Sequence, residues 1–188
     1  MTKLPENISE TVTVENVVTS ADTNRDLDLE SLCVDLPNAQ FNPEDFPGIV
    51  YRSTDEGVAV LIFRSGKIVC TGADSIEQTH KVIDEIKGQF DEIGLEYDEL
   101  DPTVQNVVGV ADMDEDLNLN AIAIGLGLEK TEYEPEQFPG LIYRRSSDDP
   151  VALLFGSGQI VITGGTSHDD IENGVEMMYE ELDELALI

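Results

Sequence analysis

A long direct repeat constrains this chain more than any other feature. Asn42-Pro43-Glu44-Asp45-Phe46-Pro47-Gly48-Ile49-Val50-Tyr51-Arg52 returns as Tyr133-Glu134-Pro135-Glu136-Gln137-Phe138-Pro139-Gly140-Leu141-Ile142-Tyr143-Arg144. Val58 to Gly72 returns as Val151 to Gly164, one residue shorter before its phenylalanine. Phe46, Phe63 and Thr71 recur as Phe138, Phe155 and Thr163 at one constant offset, and Asn16-Val17-Val18 recurs as Asn106-Val107-Val108. A repeat of this length is a duplicated half-domain, too long for a solenoid unit. The expected organisation is a tail over residues 1–10, a first repeat over 11–95, an acidic linker over 96–102 and a second repeat over 103–188.

Each half reads as strand, helix, strands, helix. Thr11 to Ser20 is rich in Val and Thr and predicts a strand, followed by a turn at Asp22-Thr23-Asn24-Arg25 and a short helix over Leu27 to Leu36. Phe41 to Arg52, Gly57 to Arg64 and Lys67 to Thr71 predict a meander with turns at Gly57 and Ser65-Gly66. Ser75 and Gln78 resemble a capping box, opening a helix with Ile76, Val82, Ile83, Ile86, Phe90 and Ile93 on one face. The order restarts with a strand over Thr103 to Ala111, a helix over Leu119 to Leu128 and strands up to Thr163. The last helix starts near His168 and carries Ile171, Val175, Met178, Leu182 and Leu185 as a buried stripe. The fold class is α+β, with helices packed on one face of an antiparallel sheet.

Forty acidic residues against ten Lys and Arg give a formal charge of -30 in 188 residues. In dilute buffer such an excess repels itself, but at molar salt the screening length falls to about 3 Å and the carboxylates keep the surface hydrated. This points to a salt-rich cytoplasm, as in a halophilic archaeon. Hydrophobic residues make up 40% of the chain, which argues against acidic disorder. Cys33 and Cys70 form no Cys-x-x-Cys or His-partnered pattern, so buried thiols in a reducing compartment are expected. Met1 to Glu10 has no apolar signal region and no run reaches the length of a membrane span, so an intracellular, cytoplasmic protein without membrane contact is expected.

The acids avoid particular stretches. Val58 to Gly72 holds no acid, only Arg64 and Lys67; Val151 to Ser167 and Thr103 to Ala111 hold no charge at all. Alternate strand residues point to opposite faces, so Val60, Ile62, Ile68 and Cys70 can pack under helices. Leu61, Phe63, Val69 and Thr71, mirrored by Leu153, Phe155, Val161 and Thr163, then form a second apolar face. With the four helices used on the first, this second face is expected to meet a partner. Arg52, Arg64, Lys67, Arg144 and Arg145 lie on or beside these strands, which suits an apolar groove edged by phosphates. The alternatives are two faces burying each other in a sandwich or dimer, and a protein- or lipid-binding module.

At these residues the chain resembles the TATA-binding protein family, over both repeats from about Val12 to Leu185. The resemblance implies ten antiparallel strands in a pseudo-two-fold saddle, with four helices on its convex side and double-stranded DNA beneath its concave side. It implies a general transcription initiation factor that kinks a TATA box from the minor groove and recruits transcription factor B and, indirectly, RNA polymerase, with no catalysis and no cofactor or metal. Carried over by position, Phe46, Phe63, Phe138 and Phe155 are the intercalating wedges. Asn16 and Asn106 donate to base acceptors beside Thr71 and Thr163, over a floor of Val18, Leu61, Val69, Val108, Leu153 and Val161. Arg52, Arg64, Lys67 and Arg144 lie near phosphates, and Glu134, Glu136 and Gln137 match the edge that receives transcription factor B. Gln159 in place of a second Lys67, with Asp74 and Thr166 after the strands, departs from a strong phosphate clamp.

Other constellations fit poorly. Asp112 to Asn118 and Asp22 to Asp28 alternate acids as a calcium loop does, but Leu117 and Ala123 stand where Gly and Glu are needed. Gly125-Leu126-Gly127 lacks the third glycine and preceding strand of a dinucleotide site, and Ser65-Gly66-Lys67 lacks P-loop spacing. His80 and His168 have no nucleophile arranged near them, and the cleft-forming strands carry no carboxylate pair for glycoside hydrolysis.

Overall fold

Valine and threonine with alternating exposure make each half's first strand, and the chain's glycines turn the strands that follow. The computed structural model describes residues 11–55 and 57–188, so the tail expected over 1–10 lies outside the described residues. Contacts divide the chain into two compact units, one spanning Asn16–Gln105 and one spanning Asn106–Ile188 with the residues up to Glu15.

In the first half the elements are β1 (Thr13–Asp22), α1 (Leu29–Asp35), β2 (Ala39–Gln40), β3 (Gly48–Arg52), β4 (Ala59–Phe63), β5 (Lys67–Ala73) and α2 (Ile76–Glu92). The second half repeats them as β6 (Thr103–Asp112), α3 (Leu119–Leu126), β7 (Thr131–Glu132), β8 (Leu141–Tyr143), β9 (Val151–Leu154), β10 (Gln159–Gly165) and α4 (His168–Glu184). Strand order is β2-β3-β4-β5-β1 in one half and β6-β10-β9-β8-β7 in the other. The ten strands and four helices of the expected α+β class are thus present, with antiparallel pairing in each half.

Three expectations need correction. The strand expected from Phe41 begins at Gly48, because Asn42 to Phe46 form a turn in which the Asp45 and Phe46 N–H groups donate to the Asn42 carbonyl. A two-residue strand, β2, precedes that turn instead. Leu185 leaves the buried stripe of α4, being 42% exposed where the helix ends. Ser75 does cap α2 by accepting from the Gln78 N–H, but the Gln78 side chain accepts from the Asp74 N–H, so the reciprocal box is not closed. The closed box occurs at Ser167 and Asp170 on α4.

The core of each half lies between its long helix and one sheet face. In the first, Val82, Ile83, Ile86 and Phe90 are buried along with Ile49, Val60, Ile62, Ile68 and Cys70, and α2 packs on β5. In the second, Ile171, Val175, Met178 and Leu182 of α4 are buried with Leu141, Ala152, Leu154, Ile160 and Ile162, and α4 packs on β9 and β10. Tyr51 and Tyr143 anchor the outer strands to the helices: Tyr51 donates to Glu85, and Tyr143 donates to Glu181 at 2.6 Å. Ser53 and Thr54 also donate to Glu85. Burial alone would raise the Glu85 pKa, yet the hydrogen bonds from Tyr51, Ser53 and Thr54 together hold it below the usual carboxylate value. Both cysteines are free thiols, Cys70 on the buried face, where burial pushes its pKa up to about 11. No helix among the described residues is long and apolar enough to cross a membrane.

Candidate nucleic-acid interface

Because side chains alternate along a strand, the register within each half dictates which residues share the face turned away from the helices. In the first half Ser20 pairs with Val69, Val69 with Leu61 and Leu61 with Val50, giving one row across β1, β5, β4 and β3. In the second half Val110, Val161, Leu153 and Ile142 form the corresponding row. The neighbouring rows hold Thr71 with Ala59, and Val108 with Thr163 and Val151. All these side chains are half-buried, whereas their neighbours along the strands are buried, apart from Gly72 after Thr71 and Gly164 after Thr163, which are exposed. The expected apolar floor, Val18, Leu61, Val69, Val108, Leu153 and Val161, is therefore brought together as one open face in each half.

At one end of this face lie the phenylalanines. Phe46, from the turn before β3, meets Phe63 at the end of β4 edge to face, with ring centroids 5.7 Å apart. Phe138 and Phe155 repeat the pair at 5.8 Å. Phe46, Phe63 and Phe155 are half-buried and Phe138 is 36% exposed, so all four keep ring surface open. Two glycines permit this. A Cβ on Gly48 would stand 2.9 Å from the Ile62 carbonyl oxygen and 3.0 Å from the Phe46 ring, and one on Gly140 would stand 2.7 Å from Phe138 and 3.0 Å from Phe155. Sequence reasoning did not assign Gly48 and Gly140 to the site. The signal was there in Phe-Pro-Gly, written once in each half.

At the opposite end lie the asparagines. Between Val17/Ala73 and Thr19/Cys70 the pairing slips, because β5 carries an extra residue; the same slip occurs in β10 between Thr163 and Gly165. The inserted residues, Gly72 and Gly164, have φ of +90° and +93°, in the left-handed region that glycine tolerates. Their freed N–H groups donate to the side chains of Asn16 and Asn106 at 2.9 and 2.7 Å. An N–H can only be met by the amide oxygen, so the orientation of both asparagines follows, and each presents its NH₂ group as a donor. Asn106 also contacts the Thr163 hydroxyl at 3.3 Å. The bulge glycines were the second element missed, marked in the sequence by Thr-Gly at the end of both strands.

The expected cations are exposed, but their partners differ. Arg64 pairs with Glu30 at 3.0 Å and Arg144 approaches Glu132 at 3.9 Å, whereas Arg52 and Lys67 make no ion pair with another described residue. Gln159 occupies the position equivalent to Lys67, at the start of β10. Glu134, Glu136 and Gln137 are exposed in the turn before Phe138. The Glu134 carbonyl accepts from the N–H groups of Gln137 and Phe138, and its carboxylate accepts from the Gln137 amide. The same turn in the first half is closed by Asn42. Among the described residues no cluster of three or more His, Cys, Asp or Glu could hold a metal ion.

Comparison with known proteins agrees with these two matching halves. The profile of the family described as Transcription factor TFIID (or TATA-binding protein, TBP) matches residues 11–93 and again 101–185. The chain is 54% identical to TATA-box-binding protein 2 of Haloferax volcanii, covering 96% of this chain and 97% of that one. It is 50% identical to TATA-box-binding protein D of Halobacterium salinarum, covering 96% and 98%. The solved structure of Methanococcus jannaschii TBP superposes with a TM-score of 0.80 at 41% identity, covering 92% of this chain and 98% of that one. With a profile match in each half and half-identical relatives along nearly its whole length, the chain belongs to the TATA-binding protein family.

Proposed function

We propose that this protein is a transcription initiation factor that binds an A·T-rich box through the minor groove, kinks it, and presents the bent DNA to transcription factor B and through it to RNA polymerase. It acts without catalysis and without a cofactor. The observation that carries the reading is the duplicated face: an open apolar floor, a pair of phenylalanines at one end and an asparagine held as a donor at the other, in each half.

That arrangement suits the chemistry of the groove. A·T pairs show only acceptors there, the adenine N3 and thymine O2, and the amide donors of Asn16 and Asn106 can meet them. The guanine amine is a donor that an apolar floor cannot satisfy. Phe46 with Phe63, and Phe138 with Phe155, act as wedges that unstack a base step, at a cost of about a few kcal/mol that the bent duplex repays in contact area. Arg52, Arg64, Lys67 and Arg144 supply phosphate contacts, Arg64 and Arg144 by exchanging their acidic partners for the backbone. Glu134, Glu136 and Gln137 take transcription factor B.

Fluorescence energy transfer between the two ends of a duplex tests the reading. The protein should shorten the end-to-end distance of a TATA duplex in molar potassium chloride, and Phe63→Ala or Phe155→Ala should abolish that change while circular dichroism stays native. Normal bending by both variants would refute the wedge assignment. Replacing Glu134 and Glu136 by Lys should leave binary DNA binding intact or stronger and weaken the ternary complex with transcription factor B. Loss of binary binding alone would contradict the partner edge.

A further inference from the structure

We infer that the two halves differ in the base pairs they accept, with Ser20 letting the first half tolerate one G·C pair that Val110 makes the second half reject. The inference rests on the DNA-binding reading above and deepens it.

The two faces match closely in kind, but every difference along the central rows points the same way. Ser20 stands where the second half has Val110, each paired with the equivalent valine, Val69 or Val161. Ala59 stands opposite Thr71 where Val151 stands opposite Thr163, and Val50 stands opposite Leu61 where Ile142 stands opposite Leu153. At each position the first half carries the smaller or more polar side chain. Ser20 is half-buried on the open face, and its hydroxyl makes no hydrogen bond to another described residue.

A free hydroxyl is both donor and acceptor. Over an A·T pair it donates to adenine N3 or thymine O2, and over a G·C pair it accepts from the guanine amine, the one donor that distinguishes the pair in this groove. Val110 can do neither, so a guanine amine pressed against it loses its water without gaining a partner. A box with one G·C pair is then bound in the orientation that sets this pair over the first half. A box with a G·C pair in both halves has no such orientation.

The test is an anisotropy titration in molar potassium chloride against an all-A·T box, boxes with one G·C pair scanned through either half, and boxes with G·C at both mirrored positions. At the position facing Ser20, the single pair should cost less than about threefold, whereas the double substitution should cost roughly tenfold or more, in the range of an unaccommodated pair. Ser20→Val should make the single pair as costly as the double, and Val110→Ser should bring the double down to the single. Inosine in place of guanine, which removes the amine, should erase all these differences. Both variants stay on half-buried strand positions, and circular dichroism checks their fold. Unchanged single-pair costs in Ser20→Val, with the all-A·T box still preferred, would overturn the inference alone. Equal binding of the A·T box and a fully G·C duplex would overturn the DNA-binding reading and the inference with it.

Discussion

At the scale of single residues, the face depends on atoms that are missing as much as on those present. Gly48 and Gly140 leave the space into which Phe46 and Phe138 lean, and no side chain fits there without moving a ring or a carbonyl. Gly48→Ala should therefore displace Phe46 and weaken DNA bending while the fold survives, with overpacking costing about 1–3 kcal/mol; energy transfer and thermal melts separate the two effects. Asn16→Asp and Asn106→Asp keep the acceptor for the bulge N–H but remove the donor, so they should fold normally and lose DNA affinity. Native affinity in both would contradict the donor role. The phenylalanines and asparagines were legible in the sequence because each recurs at the equivalent place in the other half. Their orientation was not, since it is set by bulge glycines and by N–H groups whose partners lie over fifty residues away.

At the scale of elements, the repeat keeps positions and changes solutions. Thr19 on β1 donates its buried hydroxyl to Thr79 on α2 at 2.9 Å. The equivalent contact on β6 and α4 is Gly109 against Ile171, where a Cβ on the glycine would stand 2.4 Å from the Ile171 side chain. A polar pair in one half is thus an apolar knob over a glycine in the other. Gly109→Ala should lower the melting temperature by overpacking against the Ile171 Cγ2 methyl, and Ile171→Ala, which removes that methyl, should cost less in the Gly109→Ala background than alone; equal costs would contradict the contact. The start of α2 was readable from Ser75, whereas the Ser167 cap of α4 was not read, and whether a cap closes its box depends on where the side chain three residues on turns. Asp170 accepts from the Thr166 N–H at 2.7 Å and from Ser167, and these bonds hold its pKa below the ordinary 3.8 despite partial burial. The sign follows from linkage: a depressed folded-state pKa stabilises above 3.8, and that contribution is lost as pH falls through the lower folded value. Asp170→Ala should cost about 1 kcal/mol near neutral pH, as a lost cap does, and the two melting curves should converge only as pH falls well below 3.8.

At the scale of the whole molecule, the charge of -30 makes DNA binding an electrostatic problem that an ordinary basic domain does not face. A typical DNA-binding protein releases counterions and weakens steeply as salt rises. Here the carboxylates repel the duplex, salt screens that repulsion, and the apolar contact strengthens as salt is added. The association constant should therefore stay level or rise from tens of millimolar to molar potassium chloride, and Glu15→Gln, beside Asn16 on β1, should raise the low-salt value and flatten the curve. A slope as negative as that of a basic domain would refute this balance without touching the fold. The α+β class and the duplicated order were readable in the sequence because alternation and turns are local. The two-residue strands β2 and β7 were not, because each exists only by pairing with β3 or β8 beyond an intervening turn. The central claim, a duplicated apolar face that reads A·T pairs in the minor groove, is tested most directly by one anisotropy titration in molar potassium chloride. An A·T box and the same duplex with that box replaced by G·C pairs are compared. The account predicts a preference for the A·T box of at least about a hundredfold, below the usual span between specific and non-specific binding; equal affinity for the two duplexes would contradict it.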